Sequence, residues 1–384
     1  MSQFTFETSP KIICEQGGAD RLGEIAQGLG ITRLFLVTDA GLIKAKLIDG
    51  ALASLTAAKV AVTVFSDVLA DPPELSVQAA VDAARAAGAD GVVGFGGGSS
   101  LDSAKLVALL ARTPQALPAI YGIGLARGPR LPLIQVPTTA GTGSEVTPIS
   151  ILTTPSHEKK GVVSPLLYPD VAVLDSRLTL GLPPTITAMT GVDAMVHAIE
   201  AFSTKLKKNP LSDALALKAL QLLYVNLPAA VTDGKDATVR ENMLLGSLFA
   251  GMAFANAPVG AVHALAYPLG GRYGLPHGLS NSLVFVPVLK FNLPLAQALY
   301  AQLGRAILPQ LAGSGDSEAA AAFVVAIGQR VAAMPYAQTL RDAGVKEEDL
   351  PMLAEDAMKV QRLLVNNPRE VCYQDALAMY QAAY

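Results

Sequence analysis

The chain has 384 residues, of which 51% are hydrophobic and 16% charged. That balance excludes a disordered chain and allows a large core, at a length suited to two or three domains of roughly 150 residues each. The 29 basic and 32 acidic side chains leave a net charge of −3, so no basic field is present to recruit nucleic acid or anionic lipid. Cys14 and Cys372 are too far apart in sequence to suggest a disulfide framework or a cysteine zinc site, and they fit a reducing, cytoplasmic compartment. The opening MSQFTFETSP lacks the basic start and apolar run of a secretory signal.

In chain order, Lys11–Cys14 reads as a strand and Ala19–Gly30 as a helix ending at glycine. Arg33–Val37 and Val60–Phe65 are strands, and Leu75–Ala87 has helical apolar spacing. Gly91–Gly96 is an apolar strand running into a glycine turn, with a helix expected from Ser99. Leu133–Pro137 follows as a strand, and Val171–Asp175 as the last major one. Strands alternating with helices predict a parallel sheet covered on both faces.

Near residue 182 the chain becomes Ala/Leu-rich and mostly helical, which predicts an α/β domain over 1–182 and an all-α domain over 183–384. Asn209-Pro210 is a capped helix start, and Asp316 before the Ala-rich run 319–327 is another. Leu283–Val288 is ambiguous between strand and helix. The run from Asn242 to Gly271 has no charged side chain and is long enough to span a bilayer. It also holds Asn256, Pro258, His263 and Pro268, which would lack partners in lipid, so buried helices and no membrane association are expected.

Three constellations could carry chemistry. Gly96-Gly97-Gly98-Ser99-Ser100-Leu101-Asp102 joins a strand to a helix, where glycines admit a pyrophosphate to free helix N–H groups. Asp39 ends an earlier strand and could bond both hydroxyls of an adenosine ribose while repelling a 2′-phosphate. Both also read as ordinary strand-end turns. The run Pro137-Thr138-Thr139-Ala140-Gly141-Thr142-Gly143-Ser144-Glu145 offers hydroxyls and backbone N–H groups to a phosphate or a nicotinamide amide, though a Ser/Thr-rich surface turn has the same composition.

The chain has only four histidines. Asp193 and His197 are four apart, one helical face. His263 lies in an apolar segment, and His277 follows after breaks at Pro268, Gly270, Gly271 and Pro276. One carboxylate and three imidazoles would suit Fe2+ or Zn2+; each histidine alone could instead be a satisfied core residue. His157, within Ser156-His157-Glu158-Lys159-Lys160, reads as a solvated loop residue.

Together these motifs resemble the iron-containing (group III) alcohol dehydrogenase family, almost end to end, from Ile13 to Asn367-Pro368-Arg369. The similar segments are Gly96–Ser99 with Asp102, Pro137–Glu145, Gly191-Val192-Asp193…His197…Glu200-Ala201-Phe202, His263, and Pro276-His277-Gly278. The resemblance implies an α/β dinucleotide-binding domain with a parallel sheet plus an all-α domain, the dehydroquinate synthase-like architecture. It implies a metal-dependent, NAD(P)-linked alcohol dehydrogenase or aldehyde reductase acting on small alcohols, diols or hydroxy acids, in a homodimer or larger homo-oligomer. Carried over, Asp193, His197, His263 and His277 hold Fe2+ (or Zn2+). Asp39 takes the ribose, favouring NAD over NADP. Gly97, Gly98 and Ser99, with Asp102, hold the pyrophosphate. Thr138, Thr139, Thr142 and Ser144 line the cofactor loop, Lys160 is the cofactor-side lysine, and Phe254 walls the substrate pocket.

Many members carry a second histidine four residues after the first ligand of the His263 segment; here that residue is Tyr267. A phenol has an unperturbed pKa of about 10, against about 6.5 for imidazole. Proton relay, substrate orientation and packing all stay open for Tyr267, and the aromatic-Pro pair is shared with some relatives acting on hydroxy acids. Rival readings are a dehydroquinate-synthase-type lyase or a glycerol-dehydrogenase-like enzyme of the same fold, and a non-enzymic nucleotide or metal binder.

Overall fold

The computed structural model of the chain describes residues 3–156 and 158–384. His157, expected in a solvated loop, lies outside the described residues. The chain divides into two compact units: Thr8–Gly181, and Leu182–Tyr384 together with Met1–Glu7. The N-terminal segment joins the helical unit through reciprocal bonds, Glu7 N–H donating to Asn256 Oδ1 at 2.7 Å and Asn256 Nδ2 to Glu7 O at 2.8 Å.

The first unit carries strands β1 (Lys11–Cys14), β2 (Arg33–Val37), β3 (Ala61–Phe65), β4 (Gly91–Gly96), β5 (Gly122–Ile123), β6 (Leu133–Pro137), β7 (Ile149–Thr153), β8 (Lys159–Val163) and β9 (Val171–Leu174). Its helices are α1 (Leu22–Gly28), α2 (Ala40–Lys44), α3 (Asp49–Ala57), α4 (Glu74–Ala86), α5 (Gly98–Arg112) and α6 (Leu117–Ile120). Six strands form one parallel sheet in the order β1-β9-β6-β4-β2-β3.

The strands read as unbroken apolar runs because both sheet faces are covered. Phe35, Val37 and Val92 enter a core built with α4 and α5. Leu34, Leu36, Val93 and Phe95 enter the opposite core with α1 and α3. From β2 the chain moves outward to β3; from β4 it moves the other way to β6. The order therefore reverses between β2 and β4, and the carboxyl ends of such neighbouring strands are where open α/β sheets bind ligands. Asp39 follows β2 and the glycine turn follows β4, so the topology puts both at that reversal.

The sequence reading left out a second sheet, in the order β5-β8-β7. It pairs β7 antiparallel to β8, with Leu152 opposite Lys160 and Thr153 opposite Lys159. These strands are short, and one opens on two lysines and a glycine, so mutual pairing rather than local preference forms them.

The second unit is helical throughout its regular elements: α7 (Pro184–Ser203), α8 (Pro210–Thr232), α9 (Ala237–Asn256), α10 (Ala261–Tyr273), α11 (His277–Ile307), α12 (Asp316–Ala332), α13 (Leu350–Met358), α14 (Gln361–Leu364) and α15 (Tyr373–Ala383). Helix α7 is buried on nearly every side, enclosed by α8, α9 and α11, as expected of a helix apolar all round. Its neighbours approach closely: a Cβ added at Gly191 would lie 2.4 Å from Leu227 Cδ1, and one at Gly278 would lie 2.4 Å from Met189 O. Asn209 caps α8 by accepting from Ser212 N–H at 2.9 Å.

The ambiguous Leu283–Val288 falls inside α11. The charge-free run 242–271 is split between α9 and α10, which are bent by 104°. Its polar members are used, Asn256 on Glu7 and His263 on Glu200. By length and composition alone, α8 and α11 could cross a membrane; here α8 packs on α7 and α9, and α11 on α7 and α12.

Candidate metal centre and cofactor loops

The helical unit gathers Asp193, His197, His263 and His277, whose ligand atoms all lie within 4.8 Å of one another. Asp193 and His197 are one turn apart on α7 and leave it on one face. His263 sits in the first turn of α10, and His277 opens α11. Asp193 Oδ1 is 3.6 Å from His277 Nε2, 3.9 Å from His197 Nε2 and 4.0 Å from His263 Nε2. Donors each about 2.0–2.2 Å from one ion lie up to about 4 Å apart, so the set stands near coordinating separations. Three of the four are buried; the His277 side chain keeps 36% of its exposure.

The surrounding groups fit a cation at this centre. Glu200, two turns beyond Asp193 on α7, has Oε2 2.7 Å from His263 Nδ1 while its Oε1 accepts from Val262 N–H at 2.7 Å. That carboxylate draws the imidazole proton to Nδ1 and leaves the Nε2 lone pair turned toward the cluster, the usual carboxylate–histidine arrangement at a metal. Asn281, one turn after His277, donates to Asp193 Oδ1 at 2.6 Å. Burial pushes the Asp193 carboxyl up, but the facing imidazoles of His197, His277 and His263 and the Asn281 amide together hold it below the ordinary carboxylate value. An anionic oxygen and three imidazole nitrogens form a donor set that Fe2+ and Zn2+ both accept.

Aromatic side chains flank the cluster. Phe254 stacks on His197 with centroids 4.3 Å apart, and His197 stacks on His263 at 4.8 Å. Tyr267, one turn after His263, has its ring 6.4 Å from that of His277. Its hydroxyl accepts from Arg362 Nη2 at 3.1 Å.

In the α/β unit, Gly97 is the N-cap of the fifteen-residue helix α5, so the free N–H groups of the first turn face the end of β4. A Cβ added at Gly98 would lie 2.7 Å from Thr142 Cγ2, and one at Gly97 3.4 Å from Thr139 Cγ2. Thr138 N–H donates to Gly96 O at 3.0 Å. The glycine turn and the threonine loop are thus packed together. Ser99 Oγ accepts from Asp71 N–H at 3.1 Å. Asp39 is half-buried and caps α2, its Oδ1 accepting from Leu42 N–H at 3.1 Å.

Three residues expected at the cofactor are placed differently. Asp102 accepts from Ser144 Oγ at 2.6 Å and from Ile151 N–H at 2.8 Å. Both Asp102 and Ser144 also accept from the fully buried Lys105, which reaches Thr147 Oγ1 and Ile149 O as well. Their side chains thus tie α5 to the loop and to β7 instead of standing open to a ligand. Lys160 is exposed and pairs with Glu158 at 3.1 Å. Strand alternation turns its neighbour Lys159 inward, where it is 2.6 Å from Asp71 Oδ1, beside the Ser99 contact.

The family models for iron-containing alcohol dehydrogenases match residues 9–176, and residues 187–384 match that family's C-terminal part. The chain belongs to the iron-containing alcohol dehydrogenase family. As a member of it, the chain is an oxidoreductase of the alcohol dehydrogenase class. The probable alcohol dehydrogenase EutG of Salmonella typhimurium is 40% identical over 381 residues, covering 99% of this chain and 94% of that protein. A crystal structure of 1,3-propanediol oxidoreductase matches with a TM-score of 0.96 at 35% identity, covering 100% of both chains. The sulfoacetaldehyde reductase of Bifidobacterium kashiwanohense, solved in complex with NAD+, matches with a TM-score of 0.88 at 30% identity, covering 100% of this chain and 99% of that one.

Sequence reasoning quoted Glu200 only as part of a motif and missed Asn281 and Arg362. The signal for the first two was present: Glu200 is seven residues from Asp193, and Asn281 is four from His277, both helical-face spacings. Arg362 is far from the ligands in sequence and carried no such signal.

Glu200→Gln should weaken metal retention about ten- to hundredfold, read by chelator competition and elemental analysis, with the helical signal kept; unchanged affinity would remove Glu200 from the centre. A second test concerns the buried Glu145, whose Oε1 has no hydrogen-bond partner. Burial pushes its carboxyl from an ordinary 4.5 up to about 7 against the pull of Lys105. Between those values the folded state binds the extra proton, so stability falls as pH rises through that window. Glu145→Gln should flatten this slope in urea midpoints measured from pH 4.5 to 7; an equal slope would place the proton elsewhere.

Proposed function

We propose that this chain is an NAD-linked, iron-dependent dehydrogenase interconverting small alcohols, diols or hydroxy acids with their carbonyl partners. The gathering of Asp193, His197, His263 and His277 around one point, with Glu200 fixing a tautomer, carries this reading. Zn2+ would meet the same donors. Bound here, the ion supplies a Lewis acid for the substrate oxygen and the dinucleotide supplies the hydride donor or acceptor.

The chain's own residues do the rest. Asp193 and the three imidazoles hold the ion, and Glu200 keeps His263 in the ligating tautomer. Phe254, stacked on His197, walls the substrate pocket and keeps it small. Tyr267, with its hydroxyl engaged by Arg362, orients substrate rather than relaying protons. Gly97, Gly98 and Ser99 seat the pyrophosphate at the start of α5, and Thr138, Thr139 and Thr142 border it. Asp39 takes the adenosine ribose and disfavours NADP by charge repulsion. Lys159 rather than Lys160 is the lysine for the phosphate side, because Lys159 turns inward onto Asp71, whose own N–H donates to Ser99 of the glycine turn. The NAD+ complex of the related sulfoacetaldehyde reductase and the diol named for the related oxidoreductase support cofactor and substrate size. A cytoplasmic homodimer or larger homo-oligomer completes the proposal.

Anaerobically purified protein stripped with a chelator should form no NADH from propane-1,3-diol and should regain activity with Fe2+. Full activity in metal-free protein would overturn the metal's role. Asp39→Gly should raise kcat/KM for NADP relative to NAD by tenfold or more, and a fixed ratio would remove Asp39 from the ribose site.

A further inference from the structure

Arg362 sits in the short helix α14 and is exposed. Its Nη2 donates to the Tyr267 hydroxyl at 3.1 Å, and its guanidinium carbon lies 5.6 Å from the Tyr267 ring centroid. Tyr267 in turn stands 6.4 Å from the His277 ring. These two steps place the guanidinium within about 12 Å of that ligand ring. The ion pairs found among the described residues include none to Arg362, whereas Arg272 on neighbouring α10 has Asp356 at 2.8 Å.

Charge accounting points the same way. Asp193 and Glu200 would together balance a divalent ion held by neutral imidazoles, which leaves neither of them as the partner of the Arg362 guanidinium. Its planar fork suits a carboxylate, sulfonate or phosphonate, and the phenol it orients offers such a group a second donor.

We infer that Arg362 and Tyr267 form a head-group subsite, and that the substrate is a short aldehyde or alcohol bearing an anionic group at its far end. The inference rests on the proposed dehydrogenase reading and narrows its substrate class. Butanal and 4-oxobutanoate differ chiefly in the anionic terminus, and 2-oxoethanesulfonate gives a sulfonate arm. With the metal-loaded enzyme and NADH, kcat/KM should favour an anionic aldehyde over butanal by about ten- to hundredfold, the range set by charge-assisted hydrogen bonds. Arg362→Ala should collapse that ratio mainly through KM, and Arg362→Lys should recover part of it. Succinate binding to the metal-loaded protein, followed by titration calorimetry without turnover, should weaken tenfold or more in Arg362→Ala.

Equal efficiency for butanal and both anions, or a ratio that survives Arg362→Ala, overturns the subsite and leaves the dehydrogenase reading standing. Succinate binding that depends on Arg362 with no turnover of any aldehyde upholds the subsite and overturns the dehydrogenase reading. Absence of both turnover and Arg362-dependent binding overturns both.

Discussion

A single buried carboxylate, Glu200, couples a helix start to a ligand ring. One oxygen accepts from Val262 N–H, in the first turn of α10, and the other meets His263 Nδ1 one residue later. The first turn of any helix has N–H groups with no partner inside it, and a buried ring must have its proton placed. Glu200 answers both needs at once. Because it stands on α7 with Asp193 and His197, the same helix that supplies two donors also sets the position and tautomer of a third. Asn281 does the corresponding work from α11, bonding Asp193 one turn after His277. The centre is therefore held by contacts among three packed helices, and the close approaches at Gly191 and Gly278 are what let those helices come near enough.

The α/β unit has its own organising contact in Lys105. An ammonium buried completely costs a great deal unless every donor is used, and Lys105 reaches Asp102, Ser144, Thr147 and Ile149. Those partners lie on α5, on the threonine loop and on β7. The glycine turn that opens α5 is thereby fixed relative to the loop that packs over it. Burial lowers the ammonium's pKa, and the carboxylates of Asp102 and Glu145 oppose that shift.

Periodicity made the parallel sheet legible, since strands covered on both faces must be apolar at every position. It also paired Asp193 with His197, because helical spacing of a carboxylate and an imidazole is a short-range pattern; His263 and His277 were joined to that pair by the scarcity of histidine in the chain and by the family resemblance. What stayed hidden depends on chain segments far apart in sequence. The β5-β8-β7 sheet is formed by pairing and carries little local preference. The inward turn of Lys159 rather than Lys160 follows from the register of β8 against β7, which no single strand reveals. The inward-facing roles of Asp102 and Ser144 required knowing where Lys105 ends. Arg362 meets Tyr267 only because α14 folds back on α10, 95 residues away in sequence.

Exposure is uneven around the four donors. Asp193, His197 and His263 keep 3–6% of their side-chain surface, and His277 keeps 36%. Solvent thus reaches the cluster from the start of α11. His277, at a helix terminus, is therefore the one member of the set in direct reach of solution, while the other three are enclosed by packed helices.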